Sequence, residues 1–489
     1  MDSPPEDGRP DPDPEQSSRA QGPFARAHGP IHSGEGRVVL GAGGLDLSSV
    51  GYVEEEFFVE GTARVFTSDS PIPADGRRDA RRDGGPVEGA LPFRTRIVVR
   101  RPRECRGTTA PVLVEWLNVS GGLDADPDWT FLQREIVRSG VVWVGVSAQR
   151  DGIVPSGHPI GEMLSLHRAD PARYGSLEHP GDDASYDIFT QVGDLVRRRA
   201  DELLGGTVPE IVVAVGESQS AERLTTYVNA FGRGSVFDAY LLHSRHAIGA
   251  PLREGTVELD PTLLRDDLSA PVMVLVAEND VAGERIGFHR ARQRDTARRV
   301  TWEIAGTAHV DAYGLGIGDH DDGSGASDDD LFAAMTSPPS SVYFGVIECD
   351  APINTGPHTY VARAALVHLL RWARGGEPPP SMPTLELTED GLDVVRDDAG
   401  HALGGVRTPH VDVPIATLSG MGQGAGGFCE LFGTTTPFDE AELRRRYPDR
   451  ERFVAAWEAS VDAAVRAGVL LDPDAEQLRR VVREATVSW

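Results

Sequence analysis

The stretch Ile211-Val212-Val213-Ala214-Val215-Gly216-Glu217-Ser218-Gln219-Ser220-Ala221-Glu222-Arg223-Leu224 decides the reading of the fold. Its first five residues are apolar and mostly β-branched and predict a short buried strand; Gly216 permits a sharp turn, and from Ala221 the chain reads as a helix. Ser218 therefore stands at the bend. Its hydroxyl projects above the sheet edge, and the N–H of Gln219 points into the same space at the helix N-terminus. Residue 220 must be small if helix and strand are to approach closely, and serine meets that need. The same short pattern also occurs in ordinary strand-to-helix turns, so its meaning rests on the chain to either side.

Downstream, residues 236–242 read as a strand, and Pro271-Val272-Met273-Val274-Leu275-Val276-Ala277 reads as a core strand followed directly by Glu278-Asn279-Asp280-Val281. A helix is expected over 285–298 and a strand over 300–304, then Ala305-Gly306-Thr307-Ala308-His309. Ser218, Asp280 and His309 thus each follow a strand of their own, in the chain order nucleophile, acid, base. A serine hydroxyl is a weak nucleophile until an imidazole takes its proton, and the imidazole needs a carboxylate to orient it. Two carboxylates compete for that role. Asp280, three residues beyond the strand, has the better position; Glu278 is the alternative and is expected to point into solvent.

Upstream, short alternating stretches over 36–66 suggest antiparallel strands at one end of a sheet. Further strands are expected over 93–102, over 111–117, where only Glu115 interrupts an apolar run, and over 141–146. Helices are expected over 132–138 and 186–204. Strands alternating with helices of this size indicate an α/β fold with a mostly parallel central sheet flanked by helices. Residues 77–89 read as a polar loop. The stretch 149–187, rich in Pro, Gly, His and Asp, reads as an irregular wall over the site. Domain organisation follows: an acidic, proline-rich tail over 1–30; a core over 31–382 with excursions at 149–187 and 310–352; and a C-terminal extension over 383–489 that ends in helices and forms either a lid or a packed appendage.

Composition narrows the chemistry. The 489-residue chain carries a formal charge of -28, which argues against nucleic-acid or anionic-membrane partners. All 48 of its cationic residues are arginine, so Schiff-base chemistry, pyridoxal-phosphate attachment and a P-loop lysine are excluded. The longest apolar runs are strand-sized, too short to span a bilayer. The N-terminus lacks the basic start and apolar run of a signal peptide, which suggests a disordered tail on a cytoplasmic protein. Cys105, Cys349 and Cys429 lie far apart and are read as forming neither a disulfide framework nor a metal motif. The run from Asp319 to Asp330 does not place carboxylates at EF-hand ligand positions and reads as a solvated loop. Gly422 to Gly427 matches G-x-G-x-x-G without a βαβ unit and reads as a flexible linker. His243 and His246 read as structural residues.

Together these features resemble an α/β-hydrolase-fold serine esterase, and more narrowly the bacterial group described as alpha/beta hydrolase domain proteins. The likeness is carried by Gly51-Tyr52-Val53-Glu54-Glu55-Glu56-Phe57, Val114-Glu115-Trp116-Leu117-Asn118, Val144-Gly145-Val146-Ser147-Ala148-Gln149, Gly306-Thr307-Ala308-His309 and Gly405-Val406-Arg407-Thr408-Pro409. The resemblance implies an α/β-hydrolase fold with Ser218 as nucleophile, His309 as base and Asp280 as acid. It also implies an oxyanion hole, with Gln219 supplying one N–H and the loop Asn118-Val119-Ser120-Gly121-Gly122, through Asn118 or Val119, supplying the other; that loop also reads as a plain turn. The expected activity is hydrolysis of a small-molecule carboxylic ester through an acyl-enzyme, with no cofactor and no metal. The alternatives are an acyltransferase or thioesterase using the same triad, and a catalytically silent scaffold that binds a small ligand.

Overall fold

The computed structural model describes residues 25–35, 45–66, 76, 89–256, 258, 260–338, 341–343, 347–424 and 426–485. The expectations for residues 1–24, 36–44 and 77–88 lie outside them. The apolar, β-branched stretches form nine strands of one sheet: β1 (Arg26–His28), β2 (Tyr52–Ala63), β3 (Leu91–Pro102), β4 (Thr109–Trp116), β5 (Val142–Val146), β6 (Val208–Glu217), β7 (Ala239–His243), β8 (Val272–Ala277) and β9 (Arg299–Ile304). Their spatial order is β1-β2-β3-β5-β4-β6-β7-β8-β9. From β5 to β9 every neighbour pair is parallel, and β1, β2 and β3 add antiparallel partners at one edge. The tail expected over 1–30 therefore ends sooner, because Arg26 to His28 pair with Glu60 to Phe58.

Period-two alternation splits each strand between two cores. On one face Leu113, Val213, Val215, Met273 and Leu275 pack with helix α1 (Pro127–Arg138) and with α4 (His358–Ala373). On the other, Val112, Val114, Val212, Ala214 and Val274 pack with α2 (Ser185–Arg198) and α3 (Gln219–Phe231). Burial on both faces is why the parallel strands read as continuous apolar runs.

Several expectations are corrected. Over 285–298 only the turn Phe288–Ala291 is helical: Gly287 adopts φ 55, and few apolar residues there recur at helical spacing. The acidic segment is not simply solvated. Asp321 and Asp328 are buried and receive Arg134 at 2.9 and 2.8 Å, while Arg363 reaches Asp321 at 2.8 Å. Buried charges of this kind persist only when paired. Cys349 and Cys429 form a disulfide with Cα atoms 5.5 Å apart; 80 residues of sequence separate them, and the fold closes that distance. The glycine-rich segment joins the strands of a hairpin, Ala416–Ser419 with Thr434–Pro437, and Gln423 binds the Ala351 and Gly433 carbonyls at 2.8 and 2.7 Å.

The C-terminal extension packs beside β9 and against one face of the sheet. Ala305 N–H donates to the Val406 carbonyl at 3.1 Å and Val406 N–H to Glu303 at 2.6 Å. Helices α5 (Arg450–Ala467) and α6 (Asp472–Glu484) then bury Trp457, Val461, Leu478 and Val482 in the core shared with α1 and α4.

Candidate active site

β6 ends at Glu217 and α3 begins at Gln219, so Ser218 alone makes the turn. Its backbone sits at φ 56 and ψ -122, a conformation that costs a non-glycine residue about 1–3 kcal/mol and needs support from its surroundings. The support is local: Ser218 N–H donates to the His243 carbonyl at 2.9 Å, and Glu222 N–H returns to the Ser218 carbonyl at 3.1 Å. A Cβ on Gly216 would lie 3.1 Å from Ser220 Cβ and 3.0 Å from Leu224 Cδ1. The close approach of helix and strand is the reason for glycine at 216 and a small residue at 220.

The loops after β8 and β9 bring the other two sequence-predicted residues to Ser218. His309 Nε2 lies 2.8 Å from Ser218 Oγ and its Nδ1 lies 2.5 Å from Asp280 Oδ1. The other Asp280 oxygen accepts the Ala277 N–H at 2.7 Å. Burial raises the Asp280 carboxyl, but His309 and the hydrogen bond from the Ala277 N–H outweigh it and hold the group below its ordinary range. His309 N–H donates to Asn279 Oδ1 at 2.8 Å, which fixes the loop.

Glu278 does not point into solvent. It is buried, accepting the Gly306 N–H at 2.6 Å and the Gly420 N–H at 2.9 Å, with Arg396 at 3.4 Å. Residues 278 to 281 make one helical turn, so side chains two positions apart leave on roughly opposite sides. Asp280 faces the imidazole, and Glu278 ties the acid loop to the base loop and to the extension.

Of the predicted oxyanion donors, Asn118 is not free. Its N–H donates to the Ala125 carbonyl at 2.9 Å, its Nδ2 binds the Glu217 carbonyl at 3.1 Å, and its Oδ1 receives Ser120 N–H at 2.8 Å. That bonding shapes the turn and leaves Val119 as the remaining candidate donor of the two read in this loop. The Gln219 side chain is held in turn: its Nε2 donates to Gln149 Oε1 at 2.9 Å, and Gln149 and Arg223 both reach Asp182, at 2.7 and 2.9 Å. Through Gln149 and Asp182 the 149–187 stretch reaches the site.

Behind the triad lies a buried polar chain. His243 places Nδ1 2.9 Å from Asp128 Oδ1 and Nε2 2.8 Å from His358 Nε2, and His358 Nδ1 lies 3.0 Å from the carbonyl of Ala308. His246 instead pairs with Glu222 at the surface side, its ring 6.2 Å from that of His309. Glu115, the interruption in the β4 run, accepts the Asp128 and Trp129 N–H groups at 3.0 and 2.9 Å and so caps α1. Sequence reasoning assigned no role to Asp128, His358 or Glu217. For Glu217 a signal existed: a carboxylate closing an otherwise apolar buried strand, next to the bend.

Among the described residues no group of three or more His, Cys, Asp or Glu is placed to hold a metal ion, and no helix is long and apolar enough to cross a membrane.

Residues 27–480 match the family model described as alpha/beta hydrolase domain. No curated protein matches the chain in sequence. Among solved structures it is similar to a putative dienelactone hydrolase from Klebsiella pneumoniae at 12% identity, covering 50% of this chain and 85% of that one with a TM-score of 0.29. An esterase of Rhizomucor miehei is 15% identical over 48% of this chain and 73% of that one, TM-score 0.25. An esterase of Pyrobaculum calidifontis is 17% identical over 43% and 71%, TM-score 0.25.

Proposed function

The chain belongs to the alpha/beta hydrolase domain family, and from that premise we propose that it is a serine carboxylic-ester hydrolase acting through an acyl-enzyme. One observation carries the reading: His309 bridges Ser218 Oγ at 2.8 Å and Asp280 at 2.5 Å, with Ser218 held in a left-handed turn. Ser218 Oγ attacks the ester carbonyl while Nε2 takes its proton; Asp280 keeps the Nδ1 proton in place and stabilises the imidazolium. The N–H groups of Gln219 and Val119 receive the developing oxyanion. The alcohol leaves with the proton from Nε2, and water activated by His309 then releases the acid.

The substrate is a small molecule, and no cofactor takes part. The cytoplasmic location expected from the N-terminus is weakened by the Cys349–Cys429 disulfide, a bond that persists where the surroundings are oxidising.

Labelling with a fluorophosphonate probe, mapped by mass spectrometry, tests the reading together with turnover of p-nitrophenyl esters by wild type and Ser218→Ala. Label on Ser218 and loss of turnover in the variant are expected. A folded wild type that neither labels nor turns over would favour a silent scaffold, and label on another serine would move the site.

A further inference from the structure

Glu217 closes β6 with a carboxyl group that is almost wholly buried. One oxygen, Oε2, receives Asn118 Nδ2 at 3.3 Å. The other, Oε1, has no hydrogen-bond partner among the described residues, yet it lies 3.2 Å from His309 Nε2. This is the nitrogen that faces Ser218 Oγ at 2.8 Å. A buried acceptor with no donor is costly to retain, and the 3.2 Å contact with Nε2 becomes an ion pair whenever His309 is protonated and Glu217 is anionic. Around Glu217 stand Asn118 from the loop after β4, Asp128 from α1, His243 as its pairing partner on β7, Asp280 after β8 and His309 after β9. No arginine pairs with it among the described residues. Burial, with the charges of Asp128 and Asp280, pushes its carboxyl well above the ordinary range.

We propose that Glu217 is a further catalytic residue, a second carboxylate that shares a proton with Nε2 of His309 and competes with Ser218 for that nitrogen. The proposal rests on the triad reading above. With the proton present, either a neutral Glu217 turns its hydroxyl to Nε2 or an imidazolium forms an ion pair with the Glu217 carboxylate; in both states Nε2 has no lone pair for the Ser218 hydroxyl. Loss of this proton to solvent leaves Glu217 anionic and Nε2 open. Ser218 Oγ then bonds to the carbonyl carbon, the carbonyl π pair moves to oxygen, and the hydroxyl proton passes to Nε2. At that moment Glu217 stabilises the new imidazolium from the reacting side while Asp280 does so from the other. The same proton leaves with the alcohol as the ester C–O bond breaks.

The test is the pH dependence of kcat/KM for a p-nitrophenyl ester between pH 5 and 9, with fluorophosphonate labelling rates at the same points, for wild type, Glu217→Gln and Glu217→Asp. Glutamine keeps an acceptor for Asn118 but carries no charge. The acid limb of Glu217→Gln is expected about one pH unit or more below that of wild type, the size of effect a neighbouring carboxylate exerts. Its alkaline plateau is expected to fall, since the base is weaker. Aspartate, which draws the carboxylate back by one methylene, should give a smaller displacement in the same direction, and it answers the question alone if the glutamine variant does not fold. Limbs that superimpose, with activity lowered equally at every pH, would reduce Glu217 to a support for Asn118 and overturn the proposal. Turnover retained by Ser218→Ala would instead bring down the triad reading beneath it.

Discussion

His243 and His358 meet Nε2 to Nε2 at 2.8 Å. His358 Nδ1 faces the Ala308 carbonyl at 3.0 Å and must carry a hydrogen, so its Nε2 presents a lone pair and His243 Nε2–H is the donor. Burial, with His243 beside it, lowers the His358 pKa to about 3, which keeps the ring neutral in this accepting role. Phe131 packs over both rings, its centroid 4.6 Å from that of His358 and 5.4 Å from that of His243. The chain of bonds that starts at Asp128 therefore ends on the carbonyl preceding His309.

Replacing His358 with leucine should remove the donor to Ala308 and strand the His243 N–H in an apolar setting. An unmet buried polar group costs about 1–3 kcal/mol, and urea unfolding should show a loss of that size. Because the Ala308 carbonyl orients the turn that holds His309, kcat should fall more than KM rises. An unchanged kcat in a destabilised variant would confine the chain to stability.

The two carboxylates after β8 should separate cleanly on substitution. Asp280→Asn should lower kcat by about 10⁴-fold through the wrong imidazole tautomer, the size of effect known for such a change. Glu278→Gln keeps one acceptor and loses the other, so either Gly306 or Gly420 N–H goes unmet. Its signature is a lower unfolding midpoint, with the turnover of the folded enzyme within about tenfold of wild type. The reverse pattern would hand the acid role to Glu278.

Val119→Pro deletes the N–H assigned to the oxyanion hole, while Val119→Ala keeps it. Losing one such donor lowers kcat by about 10²- to 10³-fold. The alanine variant should stay near wild type, and equal losses in both would place the second donor elsewhere.

The sheet and the meeting of Ser218, Asp280 and His309 were legible because each rests on local signals: apolar runs of strand length, a glycine at a tight turn, and a histidine and an aspartate soon after strand ends. The remaining features depend on residues far apart in sequence. Asn118 looks like a free loop residue until Ala125 is seen to bind its N–H. Glu278 looks exposed because nothing nearby says that Gly420, 142 residues on, will cover it. Asp321 looks solvated until Arg134 and Arg363 arrive from two helices. Cys349 and Cys429 likewise meet only after the hairpin folds back. Glu217 was visible in the deciding stretch, but its meaning required the 3.2 Å distance to His309.

Asp311, two residues past His309, offers a test of the buried charge next to the site. It is fully buried; Oδ1 accepts the Gly314 N–H at 3.0 Å and Oδ2 has no partner among the described residues. Burial dominates and pushes its pKa up from 3.8 to about 7, only partly offset by the Gly314 and Tyr313 N–H groups and by His243. A carboxyl raised on folding binds its proton more tightly in the native state than in the unfolded one. Its contribution to stability is full below pH 3.8, falls as pH rises toward 7, and is constant above. Asparagine does not titrate, and its amide can donate where Oδ2 finds nothing. The stability of Asp311→Asn relative to wild type should therefore climb between about pH 4 and pH 7, by about 4 kcal/mol at about 1.4 kcal/mol per unit, and level off beyond. Paired urea titrations across that range measure the difference directly, and a difference independent of pH would mean that Asp311 is ionised in the folded protein throughout.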